Sequence, residues 1–188
     1  GRRTILHFEP GLAAMHIWVN GAKVGYSEGT KTAVEFDITE YLKQGKNLLA
    51  IKGFRWCDGS YLEDQDFWRL SGFDRGVKLY SVDKVRIADV FIIGDLDKSY
   101  KNGIIEATIT LHNMYSVPFK GSVELSLVDA YGREVTKLAK PAEMLEGEMV
   151  ELSVYSKVPK VKVWSHEHPN LYTSVITLKR ADGSVVEA

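Results

Sequence analysis

Met15-His-Ile-Trp-Val-Asn-Gly-Ala-Lys-Val-Gly-Tyr26 (MHIWVNGAKVGY) decides how the rest of the chain is read. Side chains alternate in character from Met15 to Val19, the periodicity of a strand, because successive side chains leave a strand on opposite faces. Asn20-Gly21 supplies the two residues that most readily take positive φ, as a tight hairpin requires. Ala22-Lys-Val-Gly-Tyr26 then returns as the partner strand. Helical periodicity is nearly absent elsewhere, while short apolar runs punctuated by turn signals recur, so the hairpin sets the class as all-β.

Upstream of it, Thr4 to Phe8 reads as a strand. Downstream, Val34-Glu-Phe-Asp37 is another. Asp37 and Glu40 have the spacing of a capping box for one helical turn through Tyr41 and Leu42. Gln44 to Asn47 ends that turn, and Leu48 to Lys52, Val77 to Tyr80 and Val85 to Ile93 resume the strand pattern. A domain boundary is expected between Ser81 and Lys84. Beyond it the strands lengthen: Gly103 to His112, Gly121 to Asp129, Glu148 to Lys157 and Leu171 to Lys179. Tyr131-Gly132 and Asp182-Gly183 fit hairpin turns in this half. About seven strands in about 100 residues meets the requirement of an immunoglobulin-like sandwich, without the Cys…Trp…Cys core of antibody domains.

Composition narrows the function classes. The 188 residues are 45% hydrophobic and 26% charged, values of a globular protein rather than a disordered one. Lys and Arg total 24 against 25 Asp and Glu, a net charge of −1, which gives no electrostatic ground for nucleic acid or an anionic membrane as partner. Cys57 is the only cysteine, so neither an intrachain disulfide nor a thiol-based zinc site can form. No apolar run approaches the ~20 residues that cross a bilayer, and the N-terminus GRRTILHF has no signal-peptide core. That start, with Gly1 and a strand already under way, is expected of a piece of a longer protein. The compartment, cytoplasmic or periplasmic, stays open.

The chemistry-bearing stretch is Asp58-Gly-Ser-Tyr-Leu-Glu-Asp-Gln-Asp-Phe-Trp-Arg-Leu70 (DGSYLEDQDFWRL). In an extended segment Asp64 and Asp66 share one side and Glu63 and Gln65 the other. Two carboxylates on one face repel unless a cation, an arginine such as Arg55, Arg69 or Arg75, or water lies between them. A solvated loop is the bland alternative. Trp56, Tyr61, Phe67 and Trp68 weigh against it, because rings this dense beside acids line concave sites and interfaces. Aromatic faces with nearby carboxylates also suit sugars. His166-Glu-His168 could place two imidazoles on one side, but no third ligand is evident and Pro169-Asn170 marks a turn, so these read as loop histidines. His7, His16 and His112 lie inside strand patterns and read as structural or surface residues. No phosphate loop, nucleophile elbow or H-E-x-x-H helix is present.

Several of these residues together resemble the large bacterial β-galactosidases of glycoside hydrolase family 2. They are Trp18-Val-Asn-Gly21, Val24-Gly-Tyr-Ser-Glu28, Glu35-Phe-Asp-Ile-Thr39, Arg55-Trp56 and the gap-free run Asp58 to Gly72. Trp164-Ser165 and Pro169-Asn-Leu-Tyr172 are similar to the closing part of the family's first immunoglobulin-like domain. The resemblance implies the later part of a sugar-binding jelly-roll sandwich over residues 1–83, then an immunoglobulin-like β-sandwich over 84–188. It implies retaining hydrolysis of terminal β-galactosides by two glutamates on a barrel that this chain would not contain, so the chain by itself would be inactive. Asp66 matches the carboxylate that such a domain lends to the galactose and sodium site. Trp56, Glu63, Asp64, Trp68 and Arg69 would support it. Sodium and, as a second candidate, magnesium are the implied ions of the whole enzyme, with none expected bound to the isolated chain. A β-galactoside substrate and a homo-oligomer are the implied partners, and a stand-alone carbohydrate-binding or structural module is the alternative reading.

Departures from the pattern are Cys57 in place of a usual Ser, Ala33 in place of a usual Pro, and Ser71-Gly-Phe-Asp-Arg-Gly-Val77, where Asp74 takes an apolar position and leaves local packing open. With the earlier half of the jelly roll absent, open strand edges are expected to favour swapping, dimerisation or partial disorder.

Overall fold

A computed structural model describes residues 2–29, 32–62, 72–73 and 75–188. They form thirteen antiparallel strands in two compact units, Gly1–Val82 and Asp83–Ala188. The fold is all-β, with a sandwich in each unit, and no described helix is long and apolar enough to cross a membrane.

The first unit contains β1 (Arg3–Phe8), β2 (Ala14–Val19), β3 (Ala22–Glu28), β4 (Val34–Asp37), a 3-10 turn (Thr39–Tyr41), β5 (Leu49–Phe54), the five-residue helix α1 (Asp58–Leu62) and β6 (Val77–Val82). One sheet has the order β4-β1-β6 and the other β3-β2-β5. Alternation decides what lies between them. Leu6 and Phe8 of β1 meet Met15, Ile17 and Val19 of β2, with Ile38 closing the cluster. In the β2–β3 hairpin, Asn20 and Gly21 have φ of 53° and 86°, the left-handed pair that its two-residue turn needs. Past the turn the register shifts between Ile17 and Trp18, so that Ile17 opposes Gly25 and Trp18 opposes Lys23. Gly25 must be glycine there, since a Cβ would lie 2.5 Å from the Phe36 ring. Phe73 stacks on Phe8 with ring centroids 5.3 Å apart, while Asp74, whose packing the sequence left open, lies outside the described residues.

The capping box expected at Asp37 does not form in that register. Ile38 is the N-cap and makes no side-chain cap bond. Asp37 Oδ1 instead accepts from the Thr39 amide at 2.9 Å and the Thr39 hydroxyl at 2.6 Å, an Asx-type turn two residues long. That hydroxyl accepts the Thr4 amide at 2.8 Å, so the motif fastens the 3-10 turn to β1.

The second unit contains β7 (Val85–Leu96), β8 (Gly103–Asn113), β9 (Phe119–Val128), β10 (Glu134–Met144), β11 (Met149–Val158), β12 (Thr173–Arg180) and β13 (Val185–Glu187). Sheets β11-β8-β7 and β10-β9-β12-β13 make a seven-stranded immunoglobulin-like sandwich, with β10 beside β9 rather than beside β11. Its core is period-2 throughout: Ile105, Ala107, Ile109 and Leu111 of β8 face Val123, Leu125 and Leu127 of β9, joined by Val154, Val158 and Leu178. Gly121 lets β9 and β12 approach, since a Cβ there would stand 2.0 Å from the Lys179 carbonyl oxygen. Fully buried Asn113 binds the loops at one end, donating to Val117 O (2.9 Å) and Leu145 O (2.8 Å) and accepting from the Tyr115 amide (3.0 Å). β10 is the strand that the Tyr131-Gly132 hairpin requires, although no strand stands out in its own sequence. Pro141 is tolerated in it because β10 is an edge strand.

Candidate functional site

β2 is the middle strand of its sheet, and its register builds the site. Ala14 lies opposite Glu28 of β3 on one side and opposite Phe54 of β5 on the other. The residues that follow Phe54 therefore emerge at the same end of the sheet as Glu28. Cys57 then anchors the turn into α1. Its amide donates to the hydroxyl of buried Ser60 at 3.2 Å, its carbonyl accepts the Ser60 amide at 3.1 Å, and its thiol reaches Ala13 O at 3.5 Å. As a result Glu28, Cys57 and Asp58 bring one ligand atom each to within 4.8 Å of one another.

The electrostatics follow from that crowding. The Tyr26 phenol donates to the Glu28 carboxylate, and this bond, with some burial, pushes its pKa up to about 12. Asp58 titrates below the usual carboxylate range because it hydrogen-bonds with Glu28, helped by its own backbone N–H and that of Gly59. An acidic cluster held by hydrogen bonds is the outcome.

Rings surround it. Trp56 and Tyr61 lie 6.3 Å apart with planes inclined by 30°, both exposed, and the Arg55 guanidinium sits 5.6 Å from the Trp56 ring. His16 and Trp18 alternate with the inward Met15, Ile17 and Val19, so they share the outer face of the sheet. There His16 lies 4.5 Å from Tyr26 and 5.9 Å, edge-on, from Phe54. This arrangement suits binding: ring faces pack against the C–H face of a sugar while carboxylates accept its hydroxyl protons. Glu28 and Asp58 also suit a hard cation such as magnesium, which takes carboxylate oxygens and keeps several waters; the Cys57 thiol is the wrong donor for it.

Of the residues expected from the sequence, Trp56 is at this end of the sheet, beside Tyr61. Glu63, Asp64, Asp66, Trp68 and Arg69 lie outside the described residues. His166 and His168 are exposed in the loop before β12, where the His168 amide donates to Ser165 Oγ at 3.0 Å; the group of possible metal ligands among the described residues is the one at Glu28. Sequence reasoning missed Glu28, Asp58 and Tyr26 as a group. No local spacing signals them, because Glu28 and Asp58 meet only through the register of β2 with both neighbours.

Residues 1–83 match the sugar-binding domain of glycosyl hydrolases family 2, and residues 85–188 match a second domain model of glycosyl hydrolases family 2. Among curated proteins, the chain is 39% identical over 176 residues to a β-galactosidase of Priestia megaterium, covering 93% of this chain and 17% of that one. It is 38% identical over 186 residues to a β-galactosidase of Clostridium acetobutylicum, covering 99% of this chain and 20% of that one. The chain thus spans about a fifth of the length of these relatives. Among solved structures, a β-glucuronidase of Bacteroides uniformis superposes with a TM-score of 0.84 at 21% identity, over 98% of this chain and 23% of that one. A family 2 glycosyl hydrolase of Bacteroides cellulosilyticus does so with a TM-score of 0.82 at 22% identity, over 99% and 25%. These two likenesses speak to the fold.

Proposed function

The chain belongs to glycoside hydrolase family 2, and on that premise we propose that it forms the non-catalytic, substrate-facing portion of a β-galactosidase that cleaves terminal β-galactosides with retention. The observation that carries the reading is the 38–39% identity to two β-galactosidases along nearly the whole chain. In it, Asp66 supplies a carboxylate to the galactose hydroxyls and to a sodium ion, with Trp56, Glu63, Asp64, Trp68 and Arg69 in supporting roles. A magnesium ion, where the whole enzyme uses one, finds carboxylate ligands in Glu28 and Asp58. The catalytic carboxylates belong to another part of the enzyme, and the enzyme works as a homo-oligomer.

In the whole enzyme, Asp66→Asn is expected to lower turnover and blunt its dependence on sodium while circular dichroism stays unchanged; wild-type kinetics would remove Asp66 from the site. The chain alone is expected not to hydrolyse a chromogenic β-galactoside. The stacked, exposed Trp56–Tyr61 pair favours one second reading, a carbohydrate-binding module. Micromolar binding of galactose or lactose by the chain alone, lost in Trp56→Ala, would select that reading.

A further inference from the structure

The second unit carries a cationic groove that neither the sugar-facing end of the first unit nor the family match accounts for. It is a cavity of about 470 Å³ between the β9–β10 turn and the loop joining β11 to β12. Arg133, Lys160 and Lys162 line it against one acid, Asp129, a balance of 3 − 1 = +2. Asp129 is already engaged, since Arg133 Nε and Nη2 grip its Oδ2 at 2.9 and 2.7 Å. The ion pairs among the described residues include neither Lys160 nor Lys162.

The backbone that carries those lysines is held in place. Lys160 has φ of 51°, a left-handed conformation that costs a non-glycine residue about 1 kcal/mol and persists only where surroundings impose it. Here the Lys160 amide donates to Asn102 Oδ1 at 3.2 Å, and Asn102 in turn donates to Asp97 at 2.7 Å. The Lys162 amide donates to the Tyr172 hydroxyl at 2.9 Å. Tyr131 lies between the cationic groups, 5.1 Å from the Arg133 guanidinium and 5.6 Å from the Lys162 ammonium. Leu171 and Pro169 give the groove an apolar wall. Like charges gathered at a fixed loop repel one another unless an anion lies among them.

We propose that this groove binds a small organic anion, a carboxylate or phosphate carried on a ring-sized body such as a sugar. The anion lies among Arg133, Lys160 and Lys162, and the ring rests on the Leu171–Pro169 wall. Charge-assisted hydrogen bonds to lysine give the affinity and the apolar wall selects for a ring over free phosphate.

The test titrates the isotopically labelled 188-residue chain with glucuronate, galactose 6-phosphate, inorganic phosphate and neutral galactose, following backbone amides by NMR. Glucuronate and galactose 6-phosphate are expected to shift the amides of Arg133, Lys160 and Lys162 saturably, and galactose to leave them in place. Stronger binding of the first identifies a carboxylate ligand, and stronger binding of the second a phosphate. Lys160→Gly, which relieves the left-handed backbone while removing the charge, and Lys162→Gln are each expected to weaken binding about ten-fold, the scale of one charge-assisted bond, and added salt to weaken it further. Equal shifts by galactose, affinity indifferent to both substitutions, or no saturable shift with either sugar anion would each overturn the proposal. Inorganic phosphate binding as tightly as the sugar phosphate would overturn the ring-binding part of it.

Discussion

The two units bury their apolar residues differently. Among the described residues, fourteen buried apolar residues of the second form one cluster that runs through both sheets, whereas the main cluster of the first unit has six. Large apolar residues stay exposed in both units, Leu48, Leu62 and Leu79 in the first and Phe91, Leu145 and Leu171 in the second, so the difference lies in the core rather than at the surface. Its two sheets have three strands each, and β3, β4, β5 and β6 are paired on one side only among the described residues. A scaffold whose strands alternate without interruption closes on itself. The unit that matches the family's sugar-binding domain instead has its conspicuous described residues at strand ends and turns.

Two substitutions of side chains buried to the same degree test that contrast. Leu125 and Ile17 are both fully buried. Leu125→Ala opens a cavity in a closely surrounded sandwich and is expected to cost about 3–5 kcal/mol, against about 2–3 kcal/mol for Ile17→Ala, whose thinner surroundings can collapse around the gap. Chemical denaturation of each variant measures this, with amide exchange in β8–β9 and in β2 reporting where protection is lost. An equal or larger loss at Ile17 would break the comparison.

A polar counterpart comes next in size. Asn113→Leu keeps the volume but leaves Val117 O, Leu145 O and the Tyr115 amide without their partner, at about 1–3 kcal/mol for a buried group left unsatisfied. Asn113→Asp is expected to recover the Tyr115 bond but not the two carbonyl bonds, and so to fall no closer to wild type. Recovery by Asp would mean that the loop end is held by something other than those carbonyls.

How far the sequence could be read follows the same division. The β2–β3 hairpin is legible because two residues, Asn20 and Gly21, set both its turn and its register, and the sandwich core is legible because β8 and β9 alternate without interruption. β10 is not, because Lys137, Lys140 and Pro141 dilute the alternation of an edge strand that is half solvated. Asp37 was readable as a capping residue but not which amide it would satisfy, since the bond from Thr39 back to Thr4 comes from a distant strand. The Glu28–Asp58 meeting belongs to the least legible kind. It depends on two strand registers at once, and an error of one residue in either would turn the carboxylates apart.

Third in size is Gly21→Ala. With φ of 86° at Gly21, a Cβ has open space around it but the wrong backbone, so the expected cost is about 1 kcal/mol and entirely conformational. Restoring the stability by placing D-Ala at the same position in a semisynthetic chain would confirm that cause; a D-Ala chain no more stable than the L-Ala one would exclude it.

The smallest effect is the most informative about the site. Tyr26 ionises at about 12 because its phenol donates to Glu28, whereas an unfolded tyrosine ionises near 10.0. Between those values the unfolded chain has lost this proton and the folded chain keeps it. Stability therefore falls as pH rises from about 10 to about 12, since the unfolded state binds fewer protons there. Glu28→Gln removes the acceptor charge and is expected to bring the Tyr26 phenolate transition back toward 10, read as the difference in alkaline absorbance between otherwise matched chains with and without Tyr26→Phe. Glu28→Ala, unlike Glu28→Gln whose amide can still donate, removes the hydrogen bond that keeps Asp58 low, so the Asp58 carboxyl is expected to titrate higher in Glu28→Ala by carbon-detected NMR. If Tyr26 moves and Asp58 does not, the two are separate contacts of Glu28. If both move, the phenol, Glu28 and Asp58 behave as one network, and any cation or sugar hydroxyl that enters this end of the sheet has to displace bonds from all three.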